Sequence, residues 1–151
     1  MKKKKQIIGK FRATEKGYGF VMLENKNEEI FIAEKNTNSS LNGDTVAIEI
    51  YKGKEKDKKL EGKIIKIIKR EKKEVIGTFQ KNKNFGFVVP DDKKINTDIF
   101  ISKSHIGKAK DNQKVVVEIT KYPTRGKNAE GIIKEIIGDK DQARSWHDER
   151  N

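Results

Sequence analysis

Six aromatic residues fall into two trios whose spacing suits one kind of chemistry, the stacking of unpaired bases. Tyr18, Phe20 and Phe31 form the first trio, and Phe85, Phe87 and Phe100 the second. Every base has a π-face, so rings on an exposed sheet bind successive bases at about 1–3 kcal/mol each with little regard to sequence. Basic side chains adjoin both trios: Lys10, Arg12 and Lys16 near the first, Lys81 and Lys83 near the second. They are candidates for phosphate contacts, which make affinity fall with salt. The competing reading is that the rings are ordinary core. Repetition of the trio, each time beside a cation, favours the surface.

Alternation assigns the faces. Successive side chains of a strand point to opposite sides, so Tyr18 and Phe20 share one face and Val21 lies on the other. In Ile30-Phe31-Ile32 the isoleucines share a face and Phe31 opposes them. A small barrel interior takes the branched aliphatics, which leaves Phe31 outside with Tyr18 and Phe20. The second trio repeats the pattern. Gly19 and Gly86, between the rings, leave the opposite side of the strand bare, as a tightly curved strand requires.

Other chemistries lack their residues. There is no cysteine, hence no disulfide framework, thiolate metal site or cysteine nucleophile. The two histidines, His105 and His147, lie in separate segments without the partners of a triad. His105, in a loop-like stretch, reads as a surface residue. Neither a phosphate-binding glycine loop nor a dinucleotide fingerprint occurs. Asp91-Asp92 follow Pro90, and Asp44 follows Asn42-Gly43. Both settings are turn chemistry, where Asp bonds its own backbone. No catalytic residue, metal ligand or cofactor is assigned, and the chain is read as no enzyme by itself.

The elements that must position the rings come in two copies. Gly9-Lys10-Phe11 returns as Gly77-Thr78-Phe79, Ile30-Phe31-Ile32 as Ile99-Phe100-Ile101, Val46 to Ile50 as Val115 to Ile119, and Glu61-Gly62 as Glu130-Gly131. The offset stays between 67 and 69 residues throughout. Each copy has five short apolar stretches, in the first near Gln6–Ala13, Gly17–Leu23, Glu29–Ala33, Thr45–Tyr51 and Gly62–Ile68. Turn-forming segments such as Asn25-Lys26-Asn27 and Asn42-Gly43-Asp44 separate them. Ile and Val together number 28 against nine for Ala and Leu, a bias that suits pleated strands. The expected fold is all-β: two tandem five-stranded Greek-key barrels of the OB type. The expected organisation is a basic arm at 1–6, a first barrel at 7–70, a linker at 71–74, a second barrel at 75–138 and a tail or linker at 139–151.

Charge agrees with a polyanionic partner. The net charge is +12, with +8 in residues 1–70, +5 in 71–138 and −1 beyond. Both copies are basic, so both can track a phosphate backbone. The lysine clusters 52–59 and 69–73 are interleaved with acids and read as solvated loops. Lys2 to Lys5 read equally as a contact to an anionic surface or as a solubilising arm. No apolar run approaches the roughly 18–20 residues of a membrane span, and the expected location is cytoplasmic.

Lys16-Gly17-Tyr18-Gly19-Phe20-Val21 resembles, at all six positions, the ribonucleoprotein-type motif of cold-shock domains, Lys-Gly-(Phe/Tyr)-Gly-Phe-(Ile/Val). Lys83-Asn84-Phe85-Gly86-Phe87-Val88 keeps five of the six. Ile30-Phe31-Ile32 is similar to the family's second motif, with Ala33 in its histidine place and Ser102 there in the second copy. The tryptophan of the family's first strand is absent from both copies. The tandem arrangement, over about residues 7–138, resembles the N-terminal region of the ribonuclease R and ribonuclease II exoribonucleases. That resemblance implies RNA binding through the six rings, cold-shock fold, and a separate hydrolase domain, outside these 151 residues, that holds magnesium on aspartates.

Three readings stay open. The pair of barrels gathers single-stranded RNA for such a 3′-5′ exoribonuclease domain, acts as a free-standing RNA chaperone, or meets protein, a ribosome or an RNA-degradation partner. Single-stranded DNA is an alternative ligand, since stacking does not read the 2′-hydroxyl.

Overall fold

The computed structural model describes residues 7–24, 27–52 and 59–139. The basic arm, most of the lysine cluster 52–59, the tail with Trp146 and His147, and Asn25-Lys26 of the first turn lie outside them. Contacts divide the chain into two compact units, Met1–Lys72 with Lys94–Asn96, and Lys73–Lys93 with Thr97–Asn151.

The first unit is a closed five-stranded barrel. Its strands are β1 (Ile7–Ala13), β2 (Gly19–Leu23), β3 (Glu29–Ile32), β4 (Thr45–Lys52) and β5 (Glu61–Lys69), with a short 3-10 turn at Glu34–Asn36. They close in the order β1-β2-β3-β5-β4, with only β3 and β5 parallel. The second unit repeats this with β6 (Glu74–Lys81), β7 (Phe85–Pro90), β8 (Ile99–Ser102), β9 (Gln113–Lys121) and β10 (Ala129–Asp139), and a 3-10 turn at Lys103–His105. Its order, β10-β8-β7-β6-β9, is the same circuit, again with one parallel pair, β8 with β10. The chain is therefore all-β, two tandem OB-type barrels.

Branched aliphatics and one phenylalanine fill each interior. In the first barrel Phe11, Val21, Ile30, Ile32, Val46 and Ile48 are buried, and in the second Phe79, Val88, Ile99, Ile101, Val115 and Val117. Burying such a side chain stabilises by about 1.5–3 kcal/mol, so a dozen of them hold together a chain of which 38% is charged. Gly19 has a specific duty here. A Cβ at Gly19 would run into the Phe11 ring, and one at Gly86 into Phe79. The bare side of the strand thus makes room for an inward ring on the neighbouring strand.

Asp44 does more than shape a turn. Its carboxylate is fully buried and accepts from the Leu41 N–H at 2.8 Å, the Glu71 N–H at 3.1 Å and Arg70 Nη1 at 2.9 Å. Arg70 also donates to the Ser39 carbonyl. A buried charge is tolerable only when paired and hydrogen-bonded, and these contacts tie residues 70–71 to the first barrel. Asp91 likewise has a partner beyond its turn, an ion pair with Lys114.

Candidate nucleic-acid interface

Phe20 on the outward face of β2, Phe31 on that of β3 and Tyr18 just before β2 come together as the first trio. Ring centroids are 6.0 Å apart for Tyr18 and Phe20, 5.5 Å for Tyr18 and Phe31, and 5.8 Å for Phe20 and Phe31. In the second barrel Phe85, Phe87 and Phe100 stand 5.5, 5.6 and 5.7 Å apart. These are favourable edge and tilted contacts. All six rings are half-buried while Val21, Ile30, Ile32 and their counterparts are inside.

Local hydrogen bonds fix where each trio begins. The Tyr18 carbonyl accepts from the Thr14 N–H at 3.1 Å and from Thr14 Oγ1 at 2.6 Å. The Phe85 carbonyl accepts from the Asn82 N–H at 2.8 Å. Both turns place the first ring beside the pair that follows.

Strand register arranges the outward residues into rows. In the first barrel Arg12 faces Phe20, Phe20 faces Phe31, and Phe31 faces Glu61. In the second Gln80 faces Phe87, Phe87 faces Phe100, and Phe100 faces Glu130. Residues directly opposite share a face, so each platform is two phenylalanines wide with a carboxylate at one end. At the other end stands Arg12 or Gln80.

The five candidate cations are all exposed, but they are not equivalent. Lys10 lies beside Met22 on β1, with Nζ 4.0 Å from Glu71. Arg12 lies in the aromatic row, its guanidinium 3.8 Å from Glu29. Both pairs are mostly solvated and worth little in stability, which leaves the cations available to a stronger anion. Lys16 is in the β1–β2 turn and Lys83 in the β6–β7 turn. Lys81 opposes Gly86, so it stands at the end of its strand on the other parity, and Gln80 takes the place in the row. Residues that alternation within single strands did not reveal are Gln80, Glu61, Glu130 and Tyr51. Glu61 and Glu130 were visible as repeat anchors, and Gln80 matches Arg12 at the repeat offset.

Tyr51 is exposed on β4, where its hydroxyl donates to Glu61 Oε2 at 2.6 Å and accepts from Asn36 Nδ2 at 3.1 Å. The bond to Glu61 is the main cause of a phenol pKa raised above 10.0, with desolvation and the Glu61 charge adding and Asn36 opposing. In the second barrel His105 Nδ1 lies 3.0 Å from Ser102 Oγ, which brings an imidazole next to position 102.

Among the described residues no cluster of three or more His, Cys, Asp or Glu side chains is placed to hold a metal ion. The buried carboxylate of Asp44 is taken up by Arg70 and two backbone N–H groups. Among those residues, too, no helix is long and apolar enough to cross a membrane.

Comparison with known proteins follows the same division. Residues 9–67 match the ribonuclease B OB domain family, and residues 87–146 match the cold shock domain family. The chain is 36% identical to ribonuclease R of Thermotoga maritima, over 89% of this chain and 19% of that protein. In structure it resembles Mycoplasma genitalium RNase R, solved in complex with ribose-methylated single-stranded RNA. That match has a TM-score of 0.79 at 18% identity, over 89% of this chain and 22% of that one. It also resembles yeast Ssd1, a pseudonuclease, with a TM-score of 0.73 at 19% identity, over 91% of this chain and 24% of that one. The chain spans about a fifth of the length of the relatives it matches.

Proposed function

We propose that this chain, which carries the tandem ribonuclease B OB and cold-shock domains of the ribonuclease R family, binds single-stranded RNA through its two aromatic platforms. The observation that carries the reading is the duplicated outward trio, Tyr18-Phe20-Phe31 and Phe85-Phe87-Phe100, with near-identical ring spacing. Rings held 5.5–6.0 Å apart at an open surface offer faces to successive unpaired bases, and a duplex hides those faces in its own stack. Lys10, Arg12 and Lys16 on the first barrel, and Lys81 and Lys83 on the second, neutralise phosphates beside the trio of their own barrel.

In this reading the barrels gather substrate for a 3′-5′ exoribonuclease domain. The residues of this chain bind and hold the strand, while hydrolysis belongs to a domain outside the 151 residues. Magnesium, where that domain uses it, stabilises the displacement at phosphorus. The described residues supply no ligand cluster for it.

Fluorescence-anisotropy titration with single-stranded RNA, single-stranded DNA and duplex RNA across a salt series tests the proposal. Expected is a preference for single strands, with log K falling against log salt by about 0.7 for each phosphate neutralised. Equal, weak binding to all three ligands would reduce the +12 charge to bulk attraction and overturn the platform.

A further inference from the structure

We propose that Glu61 reads a base at the edge of the first platform, and that the base it suits is guanine. The inference rests on the stacking role proposed above. Phe31 and Glu61 are register partners in the parallel β3–β5 pair, on adjacent strands about 4.8 Å apart. A base stacked on Phe31 therefore presents its edge to this carboxylate.

Packing accounts for the glycine that follows Glu61 but not for Glu61 itself. A Cβ at Gly62 would lie 2.5 Å from the Glu49 carbonyl oxygen, and one at Gly131 2.6 Å from that of Glu118. The glycines let β5 and β10 cross close to their neighbours. Glu61 and Glu130 are half-exposed, and both terminate an aromatic row. A carboxylate beside a phosphate-binding surface costs affinity for every nucleic acid unless it makes hydrogen bonds that repay the repulsion. Base N–H groups are donors of that kind.

The Glu61 carboxylate is also held in place. Tyr51 sits at an irregularity of the β4–β5 ladder, between the Ile50–Gly62 and Lys52–Glu61 pairs, and its hydroxyl grips Oε2 at 2.6 Å while Asn36 steadies the phenol. An ionised carboxylate has about four acceptor sites, so this one bond leaves both oxygens able to accept more. The second barrel has Thr120 at the equivalent ladder position, bonded to the Glu130 carbonyl and not to its carboxylate. The first barrel is thus the better organised reader.

Guanine fits because its N1–H and N2–H are adjacent donors on one edge, matching two carboxylate oxygens. Cytosine and adenine offer an amino group beside an acceptor nitrogen. Uracil offers one N–H flanked by two carbonyls, which repel the carboxylate.

The test titrates the full chain with a uridine-only 12-mer and with the same length carrying isolated guanines. Wild type is expected to bind the guanine-containing strand at least about fivefold more tightly, a bidentate contact's share of discrimination. Glu61→Gln should abolish that ratio while leaving uridine-only affinity equal or higher, because a negative charge is lost. Tyr51→Phe, which keeps the ring and releases the carboxylate, should lower the ratio. Equal wild-type affinities, or Glu61→Gln changing both strands alike, would overturn the proposal. If Phe31→Ala weakens uridine-only binding and no guanine ratio exists, the platform stands and the reader falls. If wild type binds neither strand, both fall.

Discussion

The ring of Phe11 fills the space that a side chain at Gly19 would need, and Phe79 stands in the same relation to Gly86. The glycine between the aromatics of each motif is therefore set from inside the barrel. Outward rings on either side of it and an inward ring from the next strand are one arrangement.

Gly19→Ala is expected to lower stability by about 1–3 kcal/mol through overpacking. Phe11→Leu should be costly alone, yet the double variant should lose less than the two single losses combined, because the second change relieves the first. Denaturant unfolding of all four proteins checks this; strictly additive losses would contradict it.

Asp44→Ala removes a fully buried carboxylate that serves Arg70, Leu41 and Glu71. A stability loss of about 3 kcal/mol is expected, since Arg70 and two backbone donors lose their acceptor. The far-ultraviolet signal can follow the transition. A loss within the scatter of ordinary surface changes would show that water replaces the carboxylate.

What could be read from the residues alone follows from how local each feature is. Val21 inside and Phe20 outside, or Phe31 opposed to Ile30 and Ile32, needs only the two-residue period of a strand. The repeat then supplies the number of barrels. Asp44 meets Arg70 across 26 residues, so its local setting shows a turn and nothing of the buried ion pair. Glu61 reaches Phe31 only because β5 returns parallel to β3, a crossover no local pattern displays. That Gln80 and not Lys81 stands opposite Phe87 has a simpler reason. Gln80 is one residue after the inward Phe79, which puts it on the outward face with Phe87.

Tyr51 should titrate above the usual phenol range, because the bond it donates to Glu61 must break before the phenolate forms. A group whose folded pKa is raised contributes stability that is complete below its unfolded pKa and is lost as pH rises through the folded value. The contribution of this contact is therefore present at neutral pH and disappears above about pH 10. Spectrophotometric titration at the tyrosinate band, compared between wild type and Glu61→Gln, reads it directly. The expected result is one of the three tyrosines moving to lower pH in the variant, and an unchanged curve would contradict it.

The central claim is that Phe31 faces ligand and Val21 faces core, and one paired measurement separates them. Phe31→Ala and Val21→Ala are each titrated with single-stranded RNA and melted in parallel. Phe31→Ala should weaken binding by about 1–3 kcal/mol with its unfolding midpoint nearly unmoved. Val21→Ala should melt earlier and, below its transition, bind like wild type. Unimpaired binding by a destabilised Phe31→Ala would contradict the claim and return the aromatic trio to an ordinary packing role.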